Sequence, residues 1–179
     1  GEISSVNDNT NFGFQSFTAN TTGFSITAIG SKALFSNTTG SGNTALGKDA
    51  LFKNTTGSAN TAVGANSLNA NTTGSDNIAV GNGTLFRNTT GADNTAVGLV
   101  AMGQNINGNQ NTAVGSSALN FNTSGSANTA VGERAIVNNT TGGSNTAVGQ
   151  RSLSFNSIGS GNTALGSLAL RSNVNGNNN

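Results

Sequence analysis

The chain is 179 residues long, only 7% of them charged, with a formal net charge of +1 and neither cysteine nor histidine. That composition excludes disulfides, thiol nucleophiles, histidine acid–base chemistry and zinc sites of the usual ligand types. A net charge so close to zero gives no basic field for nucleic acid or an anionic membrane, and no apolar run approaches the ~18 residues of a membrane span.

Residues 1–8 read as a lead-in with neither the basic n-region nor the apolar h-region of a secretory signal. From Asn9 the chain falls into rows of 17, with starts at 9, 26, 43, 60, 77, 94, 111, 128, 145 and 162 and no insertion or deletion; Asn179 opens a further row. A strict period of this kind is the sequence sign of a solenoid. The first row is atypical, with Phe12, Phe14, Phe17 and Phe24, as terminal repeats often are. Rows two to five, Ile26 to Asp93, are regular. Row six runs Met102-Gly103-Gln104-Asn105-Ile106-Asn107-Gly108-Asn109-Gln110, which predicts a remodelled second corner of unchanged length. Rows seven to ten resume the pattern.

Read down the columns, the repeat becomes physical. Column five is glycine in every row, including Gly47, Gly64, Gly98, Gly115, Gly132 and Gly149, and so is column fifteen, including Gly57, Gly74 and Gly125. Glycine without exception at a fixed place means a positive φ or a close backbone approach, so two corners per coil are expected. Column twelve is asparagine throughout, Asn54, Asn71 and Asn122 among them. Asparagine tolerates left-handed turns, and its amides, stacked coil on coil, are expected to hydrogen-bond in a ladder.

Column four (Phe12, Ile29, Leu46, then mostly valine to Leu165) and column nine (Phe17, Leu34, Leu51 to Leu170) carry the large apolar residues and are assigned to the core. Threonine columns two and thirteen, which admit Ile78, Ile106 and Val174, are placed inward beside column four. Thr-Ala-Val then alternates with the period of two of a strand. On that phase columns three and eight point outward. Their small residues, among them Ala62, Ala96, Ala113, Ala130, Ala118 and Ala135, are read as an inter-chain face, because a plain solvated strand would show Lys, Glu or Gln there at least sometimes. Lys, Arg, Asp and Glu within the rows fall only in columns six, seven, ten, eleven and seventeen, which marks those as solvent corners and a partly exposed edge. Phe35, Phe52, Phe86, Phe121 and Phe155 form an apolar lip in columns ten and eleven.

Disorder does not hold large apolar residues in two fixed columns, and two glycine columns with β-branched neighbours oppose a helix in each row. The predicted fold is all-β: a parallel β-solenoid, or β-roll, of ten 17-residue coils over residues 9–178, rising by ~4.8 Å per coil into a rod of about 50 Å. Two large apolar side chains per coil make a thin core, and this shortfall, with the small-residue columns, predicts a trimer.

The segment Asn111-Thr112-Ala113-Val114-Gly115 with Ala118-Leu119 resembles the head repeat of trimeric autotransporter adhesins. The longer unit, closing on Asn-Thr-Thr-Gly as at Asn54-Thr55-Thr56-Gly57, is similar to arrays in tail-fibre-domain proteins of bacteria and phages. The resemblance covers 9–178, though 17 residues is longer than the adhesin head unit. It implies a left-handed parallel β-roll with three chains packed side by side, located outside the cell on a bacterial surface or a virion tail fibre.

Catalysis is not expected, and no cofactor or metal is. Asp76 and Asp93 share column seventeen in adjacent coils and read as a solvated corner rather than a cation site. Gly81-Asn82-Gly83 lacks the Lys-Ser/Thr of a phosphate loop. The column-twelve asparagines open Asn-x-Ser/Thr sequons but are assigned to the turn. The first functional expectation is a structural segment of an extracellular trimeric fibre or surface adhesin, partnered with itself as homotrimer or filament and presenting attachment to surface glycans or proteins. A phage tail-fibre shaft is the same role on a virion. The alternative from another class is an ice-binding or other repetitive-ligand surface built on threonine columns, which requires threonine outward and flat. A glycan-binding role has the phenylalanine lip as its candidate surface.

Overall fold

The computed structural model describes residues 8–179, so the expected lead-in lies, apart from Asp8, outside the described residues. Ten three-residue strands recur every 17 residues: β1 (Thr10–Phe12), β2 (Thr27–Ile29), β3 (Thr44–Leu46), β4 (Thr61–Val63), β5 (Ile78–Val80), β6 (Thr95–Val97), β7 (Thr112–Val114), β8 (Thr129–Val131), β9 (Thr146–Val148) and β10 (Thr163–Leu165). They pair in chain order as one parallel sheet with residue i facing residue i+17, for example Ala96 against Ala113 and Ala113 against Ala130. The protein is therefore all-β and a β-solenoid, as the columns predict.

Strands make up only a small part of each coil, yet the coils hydrogen-bond to one another nearly all the way round. Thr55 N donates to Thr72 O at 3.0 Å, Leu51 N to Ser67 O at 3.0 Å, Lys53 N to Asn69 O at 3.0 Å and Ala59 N to Ser41 O at 2.9 Å. Stacking one coil on the next thus satisfies the backbone donors of corners that would otherwise need water or side-chain partners.

Alternation along the strand holds, but its phase is the reverse of the one expected. Ala62, Ala96, Ala113 and Ala130 in column three, and Ala118 and Ala135 in column eight, are all 0% exposed inside a single coil. Columns two and four face outward: Leu46, Val97, Val114 and Leu165 are exposed, and Thr27, Thr44 and Thr112 are half-buried. Column thirteen is likewise at the surface, from half-buried Thr55 to exposed Ile106 and Val174. The six alanines are therefore not an inter-chain face. Their small size reflects a close approach across the coil's own interior, which has room for one Leu-sized side chain and two small ones per turn. Column nine supplies the large one, with Leu34, Leu51, Leu68, Leu85, Met102, Leu119, Ile136 and Leu153 all 0% exposed.

Four columns carry positive φ. Column-five glycine sits near φ +131 at Gly115, where an added Cβ would lie 2.7 Å from the carbonyl carbon of Gly132 in the next coil. The other three are not glycine columns. Column seven (Asp49 φ 56, Arg134 φ 55), column nine (Leu51 φ 51, Leu119 φ 52) and column seventeen (Asp76 φ 58, Ala127 φ 57) are all left-handed. A leucine held there costs about 1–2 kcal/mol, which burial of its side chain, worth about 1.5–3 kcal/mol, offsets.

Gly115→Val should destabilise the solenoid by about 3 kcal/mol or more, since it combines a strained φ with a clash against backbone that cannot give way. Ser116→Val, next along the chain on an exposed corner, should stay within about 0.5 kcal/mol. Denaturant midpoints of the two variants test this, and equal midpoints would remove the conformational requirement at column five.

Candidate functional site

Three surfaces and one internal device are repeated up the rod. The internal device is a pair of asparagine ladders. In column twelve Asn54, Asn71 and Asn122 are 0% exposed, and each Nδ2 donates to the Oδ1 of the asparagine one coil back, at 2.8 Å from Asn54 to Asn37, 2.8 Å from Asn71 to Asn54 and 2.8 Å from Asn122 to Asn105. The expected ladder is present. A second ladder, not anticipated from the columns, runs through column one: Asn111 Nδ2 donates to Asn94 Oδ1 at 3.1 Å, while Asn111 Oδ1 accepts from Asn128 N at 3.0 Å and Asn128 Nδ2 at 3.1 Å. Both ladders close on the column-fifteen carbonyl. Gly57 O accepts from Asn43 Nδ2 at 2.8 Å and Asn54 Nδ2 at 2.9 Å, and Gly125 O accepts from Asn111 and Asn122, both at 2.9 Å.

That convergence explains column fifteen. At Gly57 an added Cβ would meet the Gly74 carbonyl oxygen and the Asn54 Oδ1, both well inside contact distance, and no positive φ is involved. Close approach, rather than left-handed backbone, is the reason for glycine there, at Gly74 and Gly125 as well. Row six keeps the same geometry, against the remodelling its sequence suggests: Asn105 Nδ2 donates to Gly108 O at 3.1 Å, and Asn109 Oδ1 accepts from Ala92 N at 2.8 Å where a serine hydroxyl serves in other coils.

The first surface is the outer face of the sheet, two columns wide. Column-two hydroxyls point outward and make no hydrogen bond within the described chain, whereas column-thirteen hydroxyls are engaged, as in Thr55 Oγ1 donating to Thr72 O at 3.0 Å. Beside the threonines column four forms an apolar stripe in which Ile29, Val63, Val80 and Val131 are half-buried and the rest are exposed, from Val114 at 37% to Leu165 at 79%.

A second surface is the edge of columns seven, ten and eleven. Phe35 and Phe52 stack with centroids 5.3 Å apart, and Phe86, Phe121 and Phe155 are exposed, so the lip is real. Between coils seven and ten it deepens into an open groove of about 450 Å³ lined by Phe121, Phe155, Arg134, Arg151 and Arg171. The Arg171 guanidinium lies 5.1 Å above the Phe155 ring centroid. Arg134 Nε is 4.0 Å from Glu133 Oε1, and Glu133 Oε2 also accepts from Gln150 Nε2 at 2.8 Å. At the groove's end Asn120 fills the notch left by Gly103, and its buried Oδ1 has no donor.

The third surface is column seventeen, where Asp76 and Asp93 are exposed. Among the described residues no group of three or more potential metal ligands comes together, and no helix is long and apolar enough to cross a membrane.

Comparison with protein-family models, with curated proteins and with solved structures finds no match for this chain.

Asn111→Ala leaves Asn128 N without a partner and takes one of two hydrogen bonds from each of Asn128 Nδ2, Asn94 Oδ1 and Gly125 O, and should cost about 2 kcal/mol or more at roughly 1–3 kcal/mol for each group left unsatisfied. Asn120→Ala, which deletes an acceptor already without a partner, should cost less than about 1 kcal/mol. Thermal melts of the two variants make the comparison, and an Asn111→Ala protein as stable as the parent would deny the ladder its role.

Proposed function

We propose that this chain is a rigid structural segment of an extracellular trimeric fibre or surface adhesin, assembled through the outer face of its sheet. The observation that carries it is the column-four stripe. Apolar side chains line one face of the sheet from coil to coil, exposed at Leu46, Val97, Val114, Val148 and Leu165 and half-buried at Ile29, Val63, Val80 and Val131, and contiguous apolar surface of that kind marks a contact site. The supporting interface is thus columns two and four rather than the alanine columns. The resemblance of Asn-Thr-Ala-Val-Gly-x-x-Ala-Leu to adhesin heads and tail-fibre arrays favours self-association of three chains and a place outside the cell, on a bacterial surface or a virion. A phage tail-fibre shaft would use the same face in the same way.

The phase of the strand also favours a second reading, an ice-binding or other repetitive-ligand surface. Column-two threonines are outward with unengaged hydroxyls, in a sheet whose strands repeat at ~4.8 Å, which is what such a face requires. Against it, the column is broken by Ile78, and column four varies from valine to Leu46, Leu165 and Phe12, which roughens the lattice. Assembly is ranked first because it tolerates that variation.

Val114→Arg, on the outer face, should lower the oligomeric mass while leaving the coil folded. Ala113→Arg, one residue away, should destroy the coil instead, because an unpaired charge buried in it costs several kcal/mol. Light scattering with circular dichroism separates the two effects. A parent that is monomeric at micromolar concentration would sink the assembly reading, and thermal hysteresis in the parent would put the ice-binding face in its place.

A further inference from the structure

The distribution of charge around the coil is not that of a neutral molecule. All seven Lys and Arg residues (Lys32, Lys48, Lys53, Arg87, Arg134, Arg151 and Arg171) fall in columns six to eleven, along the edge that also carries the phenylalanine lip. Only Asp49 and Glu133 accompany them there, while Asp76 and Asp93 sit in column seventeen. Winding the chain into coils therefore turns a net charge of +1 into a cationic edge and a separate acidic corner.

We infer that the groove of this edge between coils seven and ten is a binding site for a carboxylate-bearing glycan. Three arginines, Arg134, Arg151 and Arg171, line one groove whose volume of about 450 Å³ falls within the ~300–1,000 Å³ of ligand sites. Among the described residues, neither Arg151 nor Arg171 has a carboxylate partner, and Arg134 shares the half-exposed Glu133 at 4.0 Å. Guanidinium forks match carboxylates in a bidentate, planar fashion that lysine cannot reproduce. Asn138 and Ser117 line the same groove; Asn138 Nδ2 already donates to Ser154 O at 2.9 Å, and its amide oxygen and the Ser117 hydroxyl suit a ligand rich in hydroxyl groups.

The arrangement favours an acidic sugar over a nucleic acid. Single-stranded nucleic acids bind by laying bases on open ring faces. Here one face of Phe155 is covered by Arg171, and farther along the lip Phe35 and Phe52 are stacked on each other, so Phe121 is the one ring of this groove with no ring or cation against it among the described residues. The rings act instead as apolar walls beside the guanidiniums. The lip continues past Phe86, Arg87 and Lys53, where a second open groove of about 420 Å³ lies on the same edge, so an extended polysaccharide running along the rod meets cations repeatedly. Nothing in this site involves columns two and four, so it does not depend on assembly of the chains.

The test is isothermal titration of the 179-residue protein with an oligogalacturonate, with dextran of matched length, and with a single-stranded oligothymidylate of matched charge. The oligogalacturonate should bind in a salt-dependent manner and dextran should not. The double variant Arg134→Ala, Arg151→Ala should lose at least about tenfold in affinity, and the corresponding double lysine variant should recover only part of it. Asp76→Ala, in column seventeen and outside the groove lining, should bind like the parent. If the double alanine variant fails to melt like the parent, Arg171→Gln in the last coil carries the same expectation. No binding by the parent, equal binding of dextran, undiminished binding by the arginine variants, or tighter binding of the oligothymidylate would each overturn the proposal.

Discussion

The structure depends on two ladders of side-chain amides meeting at one carbonyl. In each regular coil the column-one and column-twelve asparagines both donate to the column-fifteen oxygen, and each also donates to its counterpart one coil back. In column one the accounting is complete, because Asn111 uses both amide protons and both acceptor positions of its oxygen. A buried polar group costs stability only when unsatisfied, and here the interior is built so that satisfaction requires another coil above and below. The ladders therefore do what a large hydrophobic core does elsewhere: they make coil stacking obligatory and fix its register at 17 residues. Ile26 shows the rule from the other side, for it occupies column one as a buried apolar residue and interrupts the ladder between Asn9 and Asn43.

That device was half legible in the sequence. An asparagine in column twelve of every row announces a ladder, and the regular glycines announce corners, because both are residue types whose fixed recurrence has few physical causes. Column one carries the same signal, asparagine in every row but the second, and the strict recurrence of Asn43, Asn60 and Asn77 three residues past the glycine column was sufficient to find it. The facing of the strand was not legible from Thr-Ala-Val alone. Alternation fixes that residues two apart share a face but leaves open which face is inside, and hydrophobicity alone favours valine there. Volume decides instead. With an asparagine ladder on each side and a leucine at column nine, the interior accepts only Ala62 or Ala113 at column three, and valine goes outside.

The left-handed residues were hidden for a related reason. Column seventeen, with Gly42, Asp76, Asp93 and Asn178, has the composition that positive φ favours. Column nine does not, because a side chain large enough to fill the coil is needed there, and burial of Leu51 or Leu119 outweighs the backbone cost. Column seven ranges from Lys32 to Val100 to Arg151 at φ 58, 47 and 53, so its conformation is imposed by the stacked coils on either side and not by its own residue. Local preference loses where each corner is hydrogen-bonded to two copies of itself.

The same economy determines where specificity resides. Columns one, three, five, eight, nine, twelve and fifteen are committed to the coil, and the sheet face of columns two and four sets a threonine beside an apolar residue in every rung but that of Ile78. A face that repeats so regularly suits a partner that also repeats, whether another copy of the chain or a lattice. Columns six, seven, ten and eleven are free to vary, and along this edge charge and size differ from coil to coil, from Phe52-Lys53 through Asn69-Ala70 to Phe86-Arg87. A ligand that distinguishes one position along the rod from another has to read that edge. The three arginines gathered there between Arg134 and Arg171 form a local feature that averaging over repeats, or over net charge, erases.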